Sequence, residues 1–252
     1  MSSFPEVLWL TVNPALKPLD RPLLNSLAER ATIAQWEFGQ EDDEPCCLET
    51  ALALLHDYVH GLFEATRQPL HLVGHGLGGV LAWLYAQRYP AHVRSLTLLS
   101  VGERPAITWH ARYYALRRLL PCSRSVVLGH MVRLLFGPCS YDKTRQLAAL
   151  LQQDLDRGLS LHSLARPQPV ELIPTVPPLL VCCGGADFSA SDREGWQPQL
   201  KPGDRWWACP GGHHFFHFEQ PRAVAAAITA HWQRLSSPAA APGAGGREQS
   251  AS

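Results

Sequence analysis

The sequence has no excess of charge of either sign, because 22 Lys and Arg residues balance 22 Asp and Glu residues. This balance gives no support for general nucleic-acid binding, which clustered positive charge drives. The start of the chain also lacks the basic segment and unbroken apolar run of a signal peptide, since Pro14 and Lys17 interrupt the run. These absences predict a cytoplasmic protein that does not bind nucleic acid.

Cysteine does not occur in a pattern that indicates cross-links or metal. The seven Cys residues include the adjacent pairs Cys46-Cys47 and Cys182-Cys183, which do not readily form local disulfides. Because no CxxC spacing is present, we expect reduced thiols, no metal and no cofactor. The window between Arg67 and Arg88 carries no Lys, Arg, Asp or Glu, but its glycines favour a buried globular element over a membrane span.

The rest of the chain alternates predicted strands and helices. The predicted strands are Val7–Thr11, Thr32–Trp36, Leu70–Val73, Val93–Val101, Pro178–Cys183 and Arg205–Ala208. The predicted helices are Pro22–Arg30, Leu48–Thr66, Leu77–Arg88 and Pro221–Leu235. This alternation is typical of the α/β class with a mainly parallel, doubly wound sheet.

A long insertion divides the predicted core into two parts, 1–101 and 176–235. The inserted residues 102–175 contain helical patterns and no clear strand, and they are too many for a loop but too few for an independent domain. We predict a helical cap over the carboxyl ends of the strands, where open α/β sheets bind ligands. Residues 236–252 are rich in Ser, Pro, Ala and Gly and are predicted to be a disordered tail.

Three motifs follow predicted strands in a fixed order. The first, Gly74-His75-Gly76-Leu77-Gly78-Gly79, has the outline of a nucleophile elbow, Gly-x-Ser-x-Gly, with Gly76 at the nucleophile position. The second is Gly184-Gly185-Ala186-Asp187, and the third is the loop from Pro210 to Pro221, which contains His214. Together they resemble the α/β-hydrolase superfamily, in the branch with a helical cap after the sixth strand of its sheet.

The resemblance covers the chain to about Leu235 and implies a role for each matching residue. Gly76 takes the place of the nucleophile, Asp187 that of the acid and His214 that of the base. The backbone N–H groups of Leu77 and Asn13 are the candidates for an oxyanion hole. The sequence Thr11-Val12-Asn13-Pro14 departs from the usual His-Gly of the family at this place, and its proline has no N–H.

Because glycine has no attacking atom, the resemblance leaves three functions open. The first is a pseudo-hydrolase that binds a small apolar ligand or a protein partner without acyl transfer. The second is an enzyme that uses the His214–Asp187 dyad as a general base, as a hydrolase, lyase or cofactor-independent oxygenase. The third is a peripheral assembly factor that contacts a membrane or an acidic partner through an arginine-rich cap. The residues that define this cap start are Arg104, Trp109, His110, Arg112, Tyr113, Tyr114, Arg117, Arg118, Arg124 and Arg133.

Other residues near the motifs receive structural interpretations. We expect His75 to point away from the pocket, and Ser100 is a poor substitute for a nucleophile because it lies outside the elbow. His213, His214 and His217 form a histidine cluster without a matching carboxylate or thiolate for metal binding. The acidic residues that we expect in exposed loops are Asp20, Glu41, Asp42, Asp43 and Glu44.

Overall fold

The computed structural model describes residues 4–39, 47–102, 108–157, 173–188 and 193–236. Six strands are found there: β1 (Val7–Thr11), β2 (Ile33–Glu37), β3 (Leu70–His75), β4 (Val93–Leu99), β5 (Leu179–Gly184) and β6 (Arg205–Cys209). The α-helices are α1 (Lys17–Ala28), α2 (Leu48–Thr66), α3 (Gly76–Arg88), α4 (Trp109–Leu119), α5 (Arg124–Phe136), α6 (Tyr141–Arg157), α7 (Arg193–Trp196), α8 (Phe216–Glu219) and α9 (Pro221–Ser236). Short 3-10 turns occur at Pro14–Leu16, Pro90–His92 and Gln197–Gln199.

The strands form one parallel sheet in the order β2-β1-β3-β4-β5-β6. The chain steps from β1 to β2 in one direction and then returns to place β3 on the other side of β1. This reversal opens a crevice at the carboxyl ends of β1 and β3, the position at which doubly wound sheets bind ligands. Asn13 follows the first of these strands, and Gly76 follows the other.

Both faces of the sheet are covered by helices, which is why the strands are continuous apolar runs. All five residues of β1 are buried, and alternate residues join different cores. Leu8 and Leu10 pack with residues of α2 and α3, whereas Val7 and Trp9 pack with residues of α1 and α9. The sequence therefore predicts the sheet class correctly from hydrophobic runs alone.

The element boundaries differ from prediction by one or two residues, except at the first helix. This helix begins at Lys17 instead of Pro22, so Pro22 lies inside it. Proline removes one helical hydrogen bond. The stripe of Leu19, Leu23 and Leu27 is completely or almost completely buried, and this burial offsets the lost bond. At the other end of the chain, Ser236 is the last residue of α9 and not the first residue of a tail.

Three helices, α4, α5 and α6, lie between β4 and β5, after the fourth strand counted in this chain. Their apolar residues form a separate cluster around Met131 and Leu151, which also includes Leu16 from the segment after β1 and Phe215 from the segment after β6. The helices therefore pack against the two loops that border the crevice. The predicted acidic loop Glu41–Glu44, Arg104 and residues 237–252 lie outside the described residues.

The uncharged window between Arg67 and Arg88 contains β3 and the body of α3, as the strand-to-helix pattern predicted. Within the described ranges, no helix has the length and apolarity needed to cross a bilayer.

Candidate functional site

The elbow between β3 and α3 is built by close backbone contacts that leave no room for side chains. A Cβ atom on Gly74 would lie 2.5 Å from the Gly78 carbonyl carbon, and one on Gly78 would lie 2.4 Å from the Leu10 carbonyl oxygen. A Cβ on Gly79 would lie 2.8 Å from the Gly74 carbonyl oxygen. These glycines allow α3 to pack directly on β3 and β1.

Gly76 differs from its neighbours because a side chain would fit there. Apart from the two adjacent residues and the backbone of α3 itself, no atom would lie within 4 Å of a Cβ atom at this position. The backbone has φ +51°, a left-handed conformation that a residue with a side chain adopts at a cost of about 1–2 kcal/mol. The sharp turn between β3 and α3 therefore places a left-handed residue without a side chain, Gly76, at its centre.

His214 and Asp187 meet at the carboxyl ends of β5 and β6. The Nδ1–H of His214 donates to the Asp187 carboxylate, whose oxygens lie 3.2 and 3.3 Å away, and both side chains are buried. The two loops touch through the backbone, because Ala186 N–H donates to the Gly212 carbonyl at 2.8 Å. The absence of a side chain at Gly184 permits this contact, since its Cβ would lie 2.4 Å from the same carbonyl oxygen.

The carbonyl of His214 is held by two donors from neighbouring strands. Ser100 Oγ–H donates to it at 2.6 Å, and His75 Nε2–H donates to it at 3.0 Å. Burial, followed by the neighbouring His217 and His214, lowers the pKa of His75 well below its ordinary value, so this ring is neutral. The expectation that His75 points away from the pocket is wrong: it lines the cavity, where its hydrogen bond to the His214 carbonyl holds the ring.

A second histidine–aspartate pair lies behind His75. His217 Nε2–H donates to Asp20 Oδ1 at 3.1 Å, and Trp9 Nε1–H donates to Asp20 Oδ2 at 3.0 Å. Desolvation raises the pKa of Asp20 to about 6 and lowers the pKa of His217 to about 3. The assignment of Asp20 to an exposed loop is therefore wrong, because this residue belongs to the buried face of α1.

A third pair joins the inserted helices to the segment after β1. His110 Nε2–H on α4 donates to Asp154 on α6 at 2.9 Å. The side-chain amide of Asn13 donates to the same carboxylate at 2.9 and 3.2 Å. Asp154 is fully buried, and His110 is almost so. This carboxylate thus fixes two residues that line the cavity.

The three pairs surround a narrow cavity of about 50 Å³ at the crevice. Its apolar wall includes Leu16, Leu77, Val80, Val101, Trp109 and Phe215. Its polar wall includes Asn13, Asp20, His75, Ser100, His110 and His214. Gly76 lies at this cavity as well, but no Lys or Arg does among the residues that the structure describes.

Both predicted oxyanion-hole residues, Asn13 and Leu77, line the cavity. Leu77 is the second residue of α3, where helix geometry leaves backbone N–H groups without intrahelical acceptors. The location fits a site for a developing negative charge, and the role of the two N–H groups stays a prediction.

The sequence profile of the alpha/beta hydrolase family matches residues 9–227 of this chain. The chain belongs to that family. An uncharacterized protein of Synechocystis sp. is 41% identical over 231 residues, which span 91% of this chain and 90% of the relative. An uncharacterized protein of Nostoc sp. is 38% identical over 235 residues, 92% of each chain.

Solved structures with the same fold include hydrolases. A membrane phospholipase A, described as a bacterial virulence factor, superposes with a TM-score of 0.67 at 20% sequence identity. The superposition covers 93% of this chain and 80% of the phospholipase chain. An esterase from Thermogutta terrifontis superposes with a TM-score of 0.66 at 17% sequence identity, and the superposition covers 92% of this chain and 90% of the esterase chain. At such low identity these similarities show the α/β-hydrolase fold and not the activity.

The histidines of the loop after β6 point to different partners. His214 contacts Asp187, His217 contacts Asp20, and His213 Nδ1 lies 3.5 Å from Glu219. Among the described residues, no group of three or more His, Cys, Asp or Glu is arranged to hold a metal ion.

Among the described residues, two further carboxylates outside the dyad, Asp20 and Asp154, are buried, and sequence analysis missed them although a signal for them exists. Asp20 stands four residues after Leu16 and three before Leu23, and Asp154 follows Leu151 by three. Each carboxylate therefore falls on the apolar stripe of its helix. An acidic residue in such a position predicts a buried partner, which in both cases is histidine.

Proposed function

We propose that this member of the alpha/beta hydrolase family forms no serine acyl-enzyme and uses its cavity to bind a small ligand. The observation that carries the proposal is Gly76, which provides no attacking atom in an otherwise complete elbow. Ser100 is no replacement, because its hydroxyl donates to the carbonyl of His214 and not to the ring.

The cavity lining supports a small ligand with an apolar body and one polar group. Leu16, Val80 and Trp109 offer an apolar surface, and His110 and His214 offer hydrogen bonds. The enclosed volume of about 50 Å³ accommodates only a few heavy atoms, which is the size of the acyl group of a short ester. The free thiols of the six described cysteines support a reducing compartment such as the cytoplasm. Binding of a protein partner at the cap is the alternative form of this proposal.

The preserved dyad favours a second candidate, an enzyme that uses His214 as a general base. The Asp187 carboxylate accepts a hydrogen bond from Nδ1–H of His214, so that Nε2 is the basic nitrogen of the ring. Such a base removes a proton from a substrate or from water without a covalent intermediate. The N–H groups of Leu77 and Asn13 are the candidates for stabilising the resulting oxyanion.

The test compares ester hydrolysis by the wild type, Gly76→Ser and Gly76→Ser/His214→Ala. We expect turnover of short nitrophenyl esters only in Gly76→Ser, because a side chain fits there and the base is already oriented. The double variant is the matched control for a dependence on the dyad. Esterase activity of the wild type that is lost in His214→Ala would contradict the absence of hydrolytic chemistry.

The wild type and two single variants, His214→Ala and Gly76→Ala, test the second candidate. General-base catalysis predicts that the wild type speeds deuterium exchange into a small ketone such as acetone in deuterium oxide, measured by NMR. His214→Ala should abolish this exchange, whereas Gly76→Ala should change it little. Equal exchange in wild type and His214→Ala would exclude His214 as the base for this substrate class.

A further inference from the structure

The turn between α4 and α5 exposes apolar side chains. Leu119 is 76% exposed, Leu120 is 41% exposed, and Val126 in the first turn of α5 is 58% exposed. Monomeric proteins usually bury such residues or scatter them singly, so three of them at one turn indicate a contact surface. We call Leu119, Leu120 and Val126 the apolar tip.

The tip lies in a strongly basic part of a neutral chain. The segment from Arg104 to Tyr141 has six arginines and no Asp or Glu, although the whole chain has zero net charge. Arg112 and Arg118 on α4 are exposed, whereas Arg124 is paired with Asp156 at 2.6 Å. Arg117 donates to the Cys122 carbonyl at 2.7 Å and thereby ties the turn together.

We propose that the apolar tip and the exposed arginines of α4 dock on an anionic lipid membrane. Leucine and valine side chains insert into the headgroup boundary, and arginines beside them bind lipid phosphates. An acidic protein partner would satisfy the arginines, but it would leave the exposed leucines unexplained. The proposal is independent of the chemistry in the cavity.

The geometry of α4 links this surface to the cavity. Trp109 and His110, at the first turn of the helix, line the cavity, and Leu119 is its last residue. Eleven residues of α-helix span about 15 Å. A protein docked through the tip therefore holds its cavity close to the lipid surface.

The experiment measures binding of the full chain to sedimented vesicles of phosphatidylglycerol and phosphatidylcholine, with pure phosphatidylcholine vesicles for comparison. We expect binding to the anionic vesicles that weakens at high salt. Arg112→Glu/Arg118→Glu should weaken it by about 30-fold or more, because each basic residue near an anionic surface contributes about a factor of five. Leu119→Ser/Leu120→Ser should weaken it by about tenfold.

Matched controls use exposed residues on other helices. Arg21→Glu/Arg30→Glu on and after α1, and Leu54→Ser on α2, should bind as the wild type does. No binding to anionic vesicles would overturn the proposal. Normal binding by the double leucine variant would also overturn it, because the arginines alone would then account for the binding. If Arg21→Glu/Arg30→Glu weakened vesicle binding as much as Arg112→Glu/Arg118→Glu does, the binding would depend on overall charge and not on α4, and the proposal would be overturned. Thermal unfolding of each variant verifies that it is folded.

Discussion

Three glycines that differ in backbone conformation and in the space around them provide a sharp test of the elbow. Gly76 has room for a side chain but a positive φ, Gly78 has an ordinary φ but no room, and Gly129 inside α5 has room and an ordinary φ. Replacing each by alanine adds one methyl group. The effects on unfolding free energy should therefore separate backbone strain from steric overlap.

The expected magnitudes follow from these contacts. Gly129→Ala should stabilise the protein by about 0.5–1 kcal/mol, the usual gain in a helix interior. Gly76→Ala should cost about 1–2 kcal/mol because of its left-handed backbone. Gly78→Ala should cost about 3 kcal/mol or more, because its Cβ would lie 2.4 Å from the carbonyl oxygen of Leu10, which only a shift of α3 away from β1 can relieve.

The assay is urea-induced unfolding followed by tryptophan fluorescence, with thermal unfolding as a second measurement. For a chain of this length, about 1 kcal/mol corresponds to a melting shift of about 2–4 °C. The expected order of stability is Gly129→Ala, wild type, Gly76→Ala and Gly78→Ala. If Gly78→Ala were as stable as Gly76→Ala, the close contact between α3 and β1 would be refuted.

Two further predictions concern the buried ionisable groups. Asp154→Ala leaves the buried donors of Asn13 and His110 without their acceptor, so it should lower the unfolding free energy by about 1–3 kcal/mol in the same urea assay. The control is Asp156→Ala, which removes an exposed ion pair with Arg124 and should cost less than about 1 kcal/mol. Stability should also fall between pH 7 and pH 5, because burial lowers the pKa of both His71 and His217 to about 3 in the folded protein. These two histidines stay neutral in the folded protein over this range, whereas in the unfolded chain they bind protons below a pKa of 6.5, which favours unfolding. Asp20, whose pKa is raised to about 6, opposes this change because it contributes more stability as the pH falls. His231, whose pKa burial lowers to about 4, and His75, whose pKa lies well below its ordinary value, add to the loss, so the net loss is at least about 2 kcal/mol. A urea midpoint that rises from pH 7 to pH 5 would contradict this balance.

The sequence by itself determined the class of fold and the place of the site. Continuous apolar strands that alternate with amphipathic helices imply a parallel sheet, because both of its faces must be buried. The motifs around Gly76, Asp187 and His214 each follow a strand, and the carboxyl ends of parallel strands lie at one edge. Their proximity is thus a consequence of topology, and the structure brings His214 and Asp187 into contact.

Only the tertiary structure decided which other charged and aromatic residues join the site. Asp20 and Asp154 are far in sequence from the histidines that they contact, so local patterns carry no information about the pairing. The position of the His75 ring depends on a hydrogen bond to the carbonyl of His214, which is 139 residues away in the sequence. Likewise, the pattern of arginines and leucines in α4 and α5 indicates amphipathic helices, but only the packing of α4 on α5 and of α5 on α6 determines which side chains stay exposed. The physical reason is that a hydrogen bond between two polar groups distant in sequence matters for stability once the fold has removed both groups from water, and only the tertiary structure decides which groups are removed.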